Sequence, residues 1–203
     1  AGYLVQAGAM PWDIDAAFNK FGFKMGPYQM SDLAGLDIGW KPGAKTANPL
    51  RDMICERTPR RGQKSGAGYY DYDAARNGTP SAEVEAIVKE YQANSGVAAR
   101  AVTHEEILEE CIFSMINEGA AILEEGMAQR ASDIDVVWLN GYGWPQDKGG
   151  PMFLGDAIGL DRVLKVVERV SANVPEVLVS DLLRKYAAEG RKLSDFPEQA
   201  IKV

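Results

Sequence analysis

The sequence has few of the residues that build metal or redox sites. Its 203 residues include only two cysteines and one histidine. Cys55 and Cys111 lie far apart and outside any C-x-x-C pair, which excludes a usual structural zinc site and predicts two buried free thiols, as in a reducing compartment. His104 stands at the start of a predicted helix without an identifiable catalytic partner, so it is predicted to be an exposed helix residue.

An excess of positive charge and long apolar runs are also lacking. The net charge of -7 disfavours a nucleic-acid-binding role, because phosphate binding needs a basic surface. No apolar run approaches the roughly 20 residues that span a bilayer, so no membrane span is predicted. No G-x-G-x-x-G follows a predicted strand, so the chain itself is not expected to bind a dinucleotide.

The most informative feature that the sequence does have is an internal repeat. The stretch DIDAAF at 13–18 returns as DIDVVW at 133–138, and Gly26-Pro27 returns as Gly150-Pro151. A D-x-x-G-L-D pattern at 32–37 likewise returns at 156–161. Periodic self-similarity of this kind indicates two copies of one structural unit. We predict a first copy over residues 1–95 and a second over residues 96–203.

Each copy is predicted to contain one short helix that begins at Gly-Pro. Proline is favoured at the first helical position, and the glycine eight residues on (Gly35 or Gly159) is a typical helix end. The aspartate two residues later is predicted to cap another helix. Asp32 and Asp156 fall inside the short helix, where aspartate is a poor helix former, so each is expected either to bond a neighbouring loop or to act at a cleft.

Longer helices are predicted from apolar spacing and capping residues. Thr103 and Glu106 form a capping box for a helix of about twenty residues that ends at Gly126. The matching helix of the first copy has only seven residues before Gly8, so we expect its beginning to be missing. Further helix starts are predicted at Thr79-Pro80 and at Ser180.

Two segments between the helices have other character. The stretch GQKSGAGYYDYD at 62–73 lacks the spacing of a phosphate-binding loop and predicts a tight turn before a short extended piece in which three tyrosines dock. The stretch from Arg51 to Lys64 has a local excess of basic residues. It could face a phosphate-bearing ligand or an acidic domain, or it could be a solvated loop.

Three phrases of the sequence resemble a known family: FGFKMGPYQMSDLAGLDIGW, GQKSGAGYYDYD and NGYGWPQDKGGPMF. Together they are similar to the C-terminal helical region of the 3-hydroxyacyl-CoA dehydrogenases, above all those of multifunctional β-oxidation enzymes that also carry enoyl-CoA hydratase/isomerase. The likeness covers essentially the whole chain. It implies an all-α fold made of a tandem repeat of that helical domain, with one short Gly/Tyr-rich extended segment.

The resemblance also implies a function for the protein from which such a chain derives. That parent would oxidise an (S)-3-hydroxyacyl-CoA with NAD, in the bacterial cytoplasm or alternatively in the peroxisome. The NAD site and the catalytic His and Glu would lie outside this chain, which would be inactive alone and have no catalytic, cofactor or metal residue of its own. Its partners would be the dinucleotide-binding domain of the same parent chain and the acyl-CoA.

Within this chain, the residues expected near substrate are Met25, Gly26, Pro27 and Asp32, all in the first copy. The second copy would replace the family's dimer partner, which predicts a monomer, with a homodimer as the alternative. The alternative function is a non-catalytic helical module for interaction or dimerisation.

Overall fold

The computed structural model describes residues 1–198, which form ten α-helices and one two-stranded hairpin. These residues fall into two compact units. The first comprises residues 1–20 and 25–107, and the second comprises residues 21–24 together with the described residues from Leu108 onward. The boundary between these two units falls within one long helix. The sequence repeat instead predicts a boundary between residues 95 and 96, and this boundary stays a prediction.

The first unit contains five helices and the hairpin. Its helices are α1 (Gly2–Gln6), α2 (Pro11–Phe21), α3 (Pro27–Ala34), α4 (Pro49–Arg57) and α5 (Ala82–Asn94). The hairpin pairs β1 (Tyr70–Tyr72) with β2 (Gly78–Pro80) in antiparallel register, Asp71 opposite Thr79. The buried apolar side chains of this unit come from several of its helices and from the segment at the start of β1: Ile14, Ala17, Ile54, Tyr69, Val84 and Val88.

The second unit is built from the long helix α6 (His104–Glu124), whose first turn belongs to the first unit, and four further helices. These are α7 (Ala131–Gly141), α8 (Pro151–Ile158), α9 (Leu160–Asn173) and α10 (Asp181–Glu189). Its buried side chains include Ile116, Leu123, Trp144, Val163, Val167 and Leu183. The architecture confirms the predicted all-α fold with one short extended segment in the Tyr-rich stretch.

The predicted Gly-Pro helices are present in both units. α3 and α8 each begin at the proline and end before a glycine at φ 111° or 98°, a backbone region that L side chains rarely adopt. The predicted next helix is absent from the first unit, where Leu36 to Gly39 form a turn instead. In the second unit α9 starts directly at Leu160, so the prediction that Asp161 caps it was wrong, and this residue lies in the first turn.

Other predicted helix ends are confirmed, and one was wrong. Ser180 accepts a hydrogen bond from the Leu183 amide at 3.2 Å and so caps α10. The Thr103 hydroxyl likewise accepts from the Glu106 amide at 3.1 Å, while the Glu106 carboxylate pairs with Arg100. Thr79 and Pro80, however, belong to β2, because the strand pairing with β1 delays the helix start to Ala82.

The long helix α6 has an apolar stripe and, beside it, one buried amide that the sequence pattern does not indicate. The Asn117 side chain donates to the Leu178 carbonyl at 2.8 Å and accepts from the Ser180 amide at 2.9 Å. This pair of bonds fixes the segment before α10 against α6. Among the described residues, no helix is long and apolar enough to cross a membrane.

Candidate functional site

The turn from Met25 to Pro27 is held by an aspartate of the preceding helix. The two carboxylate oxygens of Asp15, in α2, each accept one amide at the start of α3, from Tyr28 and from Gln29, both at 2.9 Å. Gly26 precedes these amides and lies so close to α2 that a Cβ there would be 2.2 Å from Asp15 Oδ1. Glycine is therefore required at this position because any side chain would collide with the capping carboxylate.

The second unit repeats the two amide bonds and the close approach of the glycine. Asp135 in α7 accepts the Met152 and Phe153 amides of α8 at 2.7 and 3.1 Å, and a Cβ on Gly150 would be 2.3 Å from Asp135 Oδ1. In both units the first turn of the short helix is thus closed by the last aspartate of the D-I-D motif. The repeat made the D-I-D motif visible in the sequence. It did not show that the last aspartate of the motif caps the Gly-Pro helix, because the two lie on different helices.

The aspartate within each short helix binds the backbone of a later segment. Asp32 accepts the amides of Tyr69 and Tyr70 at 2.8 and 3.1 Å and the Tyr72 hydroxyl at 2.8 Å, and it is 0% exposed. Asp156 accepts the Leu193 and Ser194 amides at 2.5 and 3.0 Å. Of the two roles that the sequence left open for these aspartates, the bond to a neighbouring segment is the one that the structure displays.

In the first unit these contacts join into one network around the candidate turn. The Tyr70 hydroxyl donates to Asp15 Oδ2 at 2.7 Å, while the Tyr70 amide donates to Asp32. Asp15 is 1% exposed. The Tyr-rich segment thereby connects the two carboxylates. The turn from Met25 to Pro27 lies next to this buried hydrogen-bond network.

Burial raises the pKa of Asp15 to about 6, against the opposing effect of its bonds from Tyr70, Tyr28 and Gln29. Burial likewise raises the pKa of Asp135 to about 6, against its two amide bonds. The pKa of Asp32 is also raised by burial, although the amides of Tyr69 and Tyr70 favour its ionised form. Removal from water thus outweighs hydrogen bonding in both units.

The predicted site residues differ in how they meet solvent. Met25 and Pro27 are half-buried and Gly26 is buried, while Asp32 has its carboxylate oxygens bonded inside the unit. Farther along α3, Met30 and Leu33 are 47% and 53% exposed. The helix therefore has an anchored inner face and an apolar outer face.

The basic residues of 51–64 lie in α4 and in the segment after it, and each has a partner within the first unit. Arg60 is buried, donates to the carbonyls of Gly68 and Tyr70, and pairs with Asp71. The other four cations also have partners there: Arg51 with Asp52, Arg57 with Glu90, Arg61 with the Cys55 carbonyl, and Lys64 with Asp37. Sequence reasoning missed these pairings because the turns of the chain decide which acceptors are in reach, and Glu90, for example, lies 33 positions from Arg57.

His104 and the two cysteines are as predicted. His104 is the exposed first residue of α6, and both cysteines are buried free thiols. The described residues contain no group of three or more His, Cys, Asp or Glu side chains arranged to hold a metal ion.

The glycine-rich stretch does not fit a dinucleotide phosphate. Residues Gln63 to Ser65 form a 3₁₀ turn, and Gly68 lies against the Asp32 carboxylate, where a Cβ would be 2.0 Å from Oδ1. The amides of Ser65, Gly66, Ala67 and Gly68 already donate to backbone carbonyls, so they are not available to a phosphate group. The close approach of Gly68 serves packing on α3.

Comparison with known families identifies two matching segments. The family model for "3-hydroxyacyl-CoA dehydrogenase, C-terminal domain" matches residues 1–72 and 107–195. Each segment contains one D-I-D motif and one Gly-Pro helix, so the match follows the internal repeat.

Similar proteins are considerably longer than this chain. The human peroxisomal bifunctional enzyme is 39% identical over 213 residues, which cover 93% of this chain and 29% of that protein. The peroxisomal fatty acid beta-oxidation multifunctional protein MFP2 of Arabidopsis thaliana is 32% identical over 173 residues, 77% of this chain and 23% of that protein. The chain thus spans under a third of the length of these relatives.

Two solved structures have a similar fold. The dehydrogenase part of multifunctional enzyme 1 from C. elegans is 29% identical with a TM-score of 0.66, over 88% of this chain and 42% of that one. The 3-hydroxybutyryl-CoA dehydrogenase of Escherichia coli K12 has a TM-score of 0.65 at 19% identity, over 92% of this chain and 56% of that one, a likeness of fold.

The paired aspartates of the two units allow a matched test of stability. D32A should lower the free energy of unfolding by about 3 kcal/mol or more, because it leaves buried donors without an acceptor. D156A should cost only about 1 kcal/mol, because this half-exposed carboxylate can be replaced by water. Chemical denaturation of both variants checks this, and equal losses would contradict the role of burial.

The raised pKa values give a pH dependence of known sign. The folded state holds protons on Asp15 and Asp135 up to about pH 6, whereas the unfolded chain releases them near its ordinary value of about 4. The folded form binds more protons in this window, so their contribution to the free energy of unfolding decreases as pH rises from about 4 to 6. Carboxyl-carbon NMR titration should give midpoints near 6 for both residues; midpoints near the ordinary value of about 4 would refute this.

Proposed function

The chain belongs to the 3-hydroxyacyl-CoA dehydrogenase C-terminal domain family, and from this membership we propose that it is the C-terminal part of an NAD-dependent (S)-3-hydroxyacyl-CoA dehydrogenase of fatty-acid β-oxidation. The observation that carries the proposal is the family match to both copies of the repeat. The parent protein is proposed to be multifunctional, with enoyl-CoA hydratase/isomerase activity in addition. The names and lengths of the relatives support this.

Within such a protein, the dinucleotide domain would bind NAD and supply the catalytic His and Glu, and this chain would form one wall of the acyl-CoA cleft. The poor fit of the glycine-rich stretch to a phosphate supports placing the NAD site elsewhere in the parent. The relatives named as peroxisomal favour the peroxisome over the bacterial cytoplasm as its compartment.

We place the substrate contact at the turn formed by Met25, Gly26 and Pro27. The turn is partly accessible, and the Asp15 carboxylate fixes the two amides after it, so its shape is set before any ligand arrives. Preorganised apolar surface of this kind suits an acyl chain because little ordering cost is incurred on binding. Asp32 acts as a positioning residue, since its carboxylate holds the Tyr-rich segment behind the turn.

The outer face of α3 is proposed to meet the dinucleotide domain of the parent. Met30 and Leu33 lie one turn apart and are about half exposed, with Ile38 63% exposed shortly after the helix. Apolar side chains grouped in this way on a surface are typical of an interface.

Activity measurements test the proposal directly. The 203-residue chain should show no NAD-linked oxidation of an (S)-3-hydroxyacyl-CoA, whereas a chain extended through the upstream part of the parent should produce NADH. Turnover by the short chain would contradict the assignment of the catalytic residues. Failure of the extended, folded protein to turn over would favour the non-catalytic interaction module instead.

In the active parent, M25Q should raise KM for the acyl-CoA on the order of 3- to 10-fold through loss of one apolar contact. M127Q is the matched control, since Met127 is a 65% exposed methionine of the second unit and should leave KM unchanged. Equal KM values for the two variants would show that Met25 does not contact the substrate.

The second copy is proposed to take the place of a dimer partner, so the chain should be mainly monomeric. Size-exclusion chromatography with light scattering should give a mass near the 22.1 kDa of one chain. A tight, concentration-independent homodimer would show that the second copy does not serve this purpose.

A further inference from the structure

The second unit contains a pocket of about 380 Å³ beside the aspartate that caps α8. Asp135 lines it together with Ser132, Phe153, Lys192 and Ser194. The pocket combines an apolar wall with hydroxyl groups and charged side chains, which is the usual composition of a small-ligand site.

The first unit contains the same arrangement with the space filled. There Tyr70 packs its ring edge against Trp12, with ring centroids 6.4 Å apart, and its hydroxyl donates to Asp15 at 2.7 Å. Asp15 corresponds to Asp135, since each carboxylate accepts the two amides after a Gly-Pro start.

The second unit has a serine at each of the two positions that correspond to Trp12 and Tyr70. Ser132 precedes its D-I-D motif as Trp12 precedes the first. Ser194 matches Tyr70 by hydrogen bonding, because the Ser194 amide donates to Asp156 as the Tyr70 amide donates to Asp32. Two aromatic side chains of the first unit are therefore replaced by serines in the second, and both serines line the pocket.

Because the second unit has no tyrosine at this position, the Asp135 carboxylate accepts fewer hydrogen bonds than Asp15. From the residues that the structure describes, Asp15 accepts three hydrogen bonds, whereas Asp135 accepts two, both from backbone amides. Burial still raises the pKa of Asp135, and within residues 1–198 this carboxylate has no third donor. A donor brought by a ligand would supply the hydrogen bond that Tyr70 supplies in the first unit.

We propose that this pocket binds a ligand bearing a phenolic hydroxyl, with the hydroxyl donating to Asp135 and the ring lying on Phe153 between the two serines. Tyr70 bonds Asp15 in this way in the first unit. Phe153 is 59% exposed, so its ring is accessible for stacking. The phenol can belong to a free aromatic compound or to a tyrosine side chain.

Binding is tested on the full chain with p-cresol, the side chain of tyrosine without its backbone. In two-dimensional NMR, p-cresol should shift the amide signals of Ser132, Phe153 and Ser194 in a saturable manner, and toluene should bind roughly tenfold more weakly or worse because it lacks the donor. Tighter binding of N-acetyltyrosinamide than of p-cresol would identify a tyrosine side chain as the source of the phenol, and the reverse order a free aromatic compound.

Two pairs of variants locate the site. S194Y restores the residue of the first unit and should abolish p-cresol binding, whereas A172Y, at an exposed position of α9, should not. D135N should weaken binding roughly tenfold or more. D161N, which alters an exposed carboxylate of the same unit, should leave binding unchanged.

The proposal fails if p-cresol and toluene bind equally, if S194Y binds p-cresol as the unaltered chain does, or if no saturable shift is observed. S194Y keeps Asp135 and its bonds to α8, so this variant remains informative even if D135N fails to fold.

Discussion

Each unit depends on one carboxylate that approaches a helix start too closely for any residue but glycine. Asp15 and Asp135 bond the first amides of α3 and α8, and the glycine before each proline lies against the carboxylate. The two contacts require each other, because the capping bonds draw the helices together and the absent Cβ permits the approach. A second aspartate in each short helix then fixes a later segment of the chain. The frame of each unit therefore consists of two carboxylates and the four amides that donate hydrogen bonds to them.

The same frame supports two different interiors. In the first unit the Tyr70 hydroxyl bonds the capping carboxylate, the Tyr70 ring packs on Trp12, and Asp15 is buried. In the second unit serines stand at these positions and Asp135 is half-buried. The two copies share the bonds that hold the backbone and differ in the side chains that fill the space. This difference is physically permissible because the aromatic rings add burial to a frame that the amide bonds already define.

The outer surface of the first unit combines paired charges with exposed apolar side chains. Four cations of the basic segment pair with carboxylates of the first unit, and the fifth, Arg61, donates to backbone carbonyls. The outward side chains of α3 are apolar at Met30 and Leu33. The proposed roles as a cleft wall and as a surface for a neighbouring domain both use this helix.

Local chemistry in the sequence was sufficient to predict the repeat, the Gly-Pro helix starts, the glycine ends and the Ser180 cap, and the same residues carried the family resemblance. The tertiary fold was needed to show which groups the aspartates bind, where Arg60 finds its acceptors, and that one Asp site is filled while the other is open. Asp15 and Tyr70, for example, are 55 positions apart, and no local spacing encodes a contact at that separation. The start of α5 was mispredicted for the same reason, because pairing of β2 with β1 outweighed the helix signal of Thr79-Pro80.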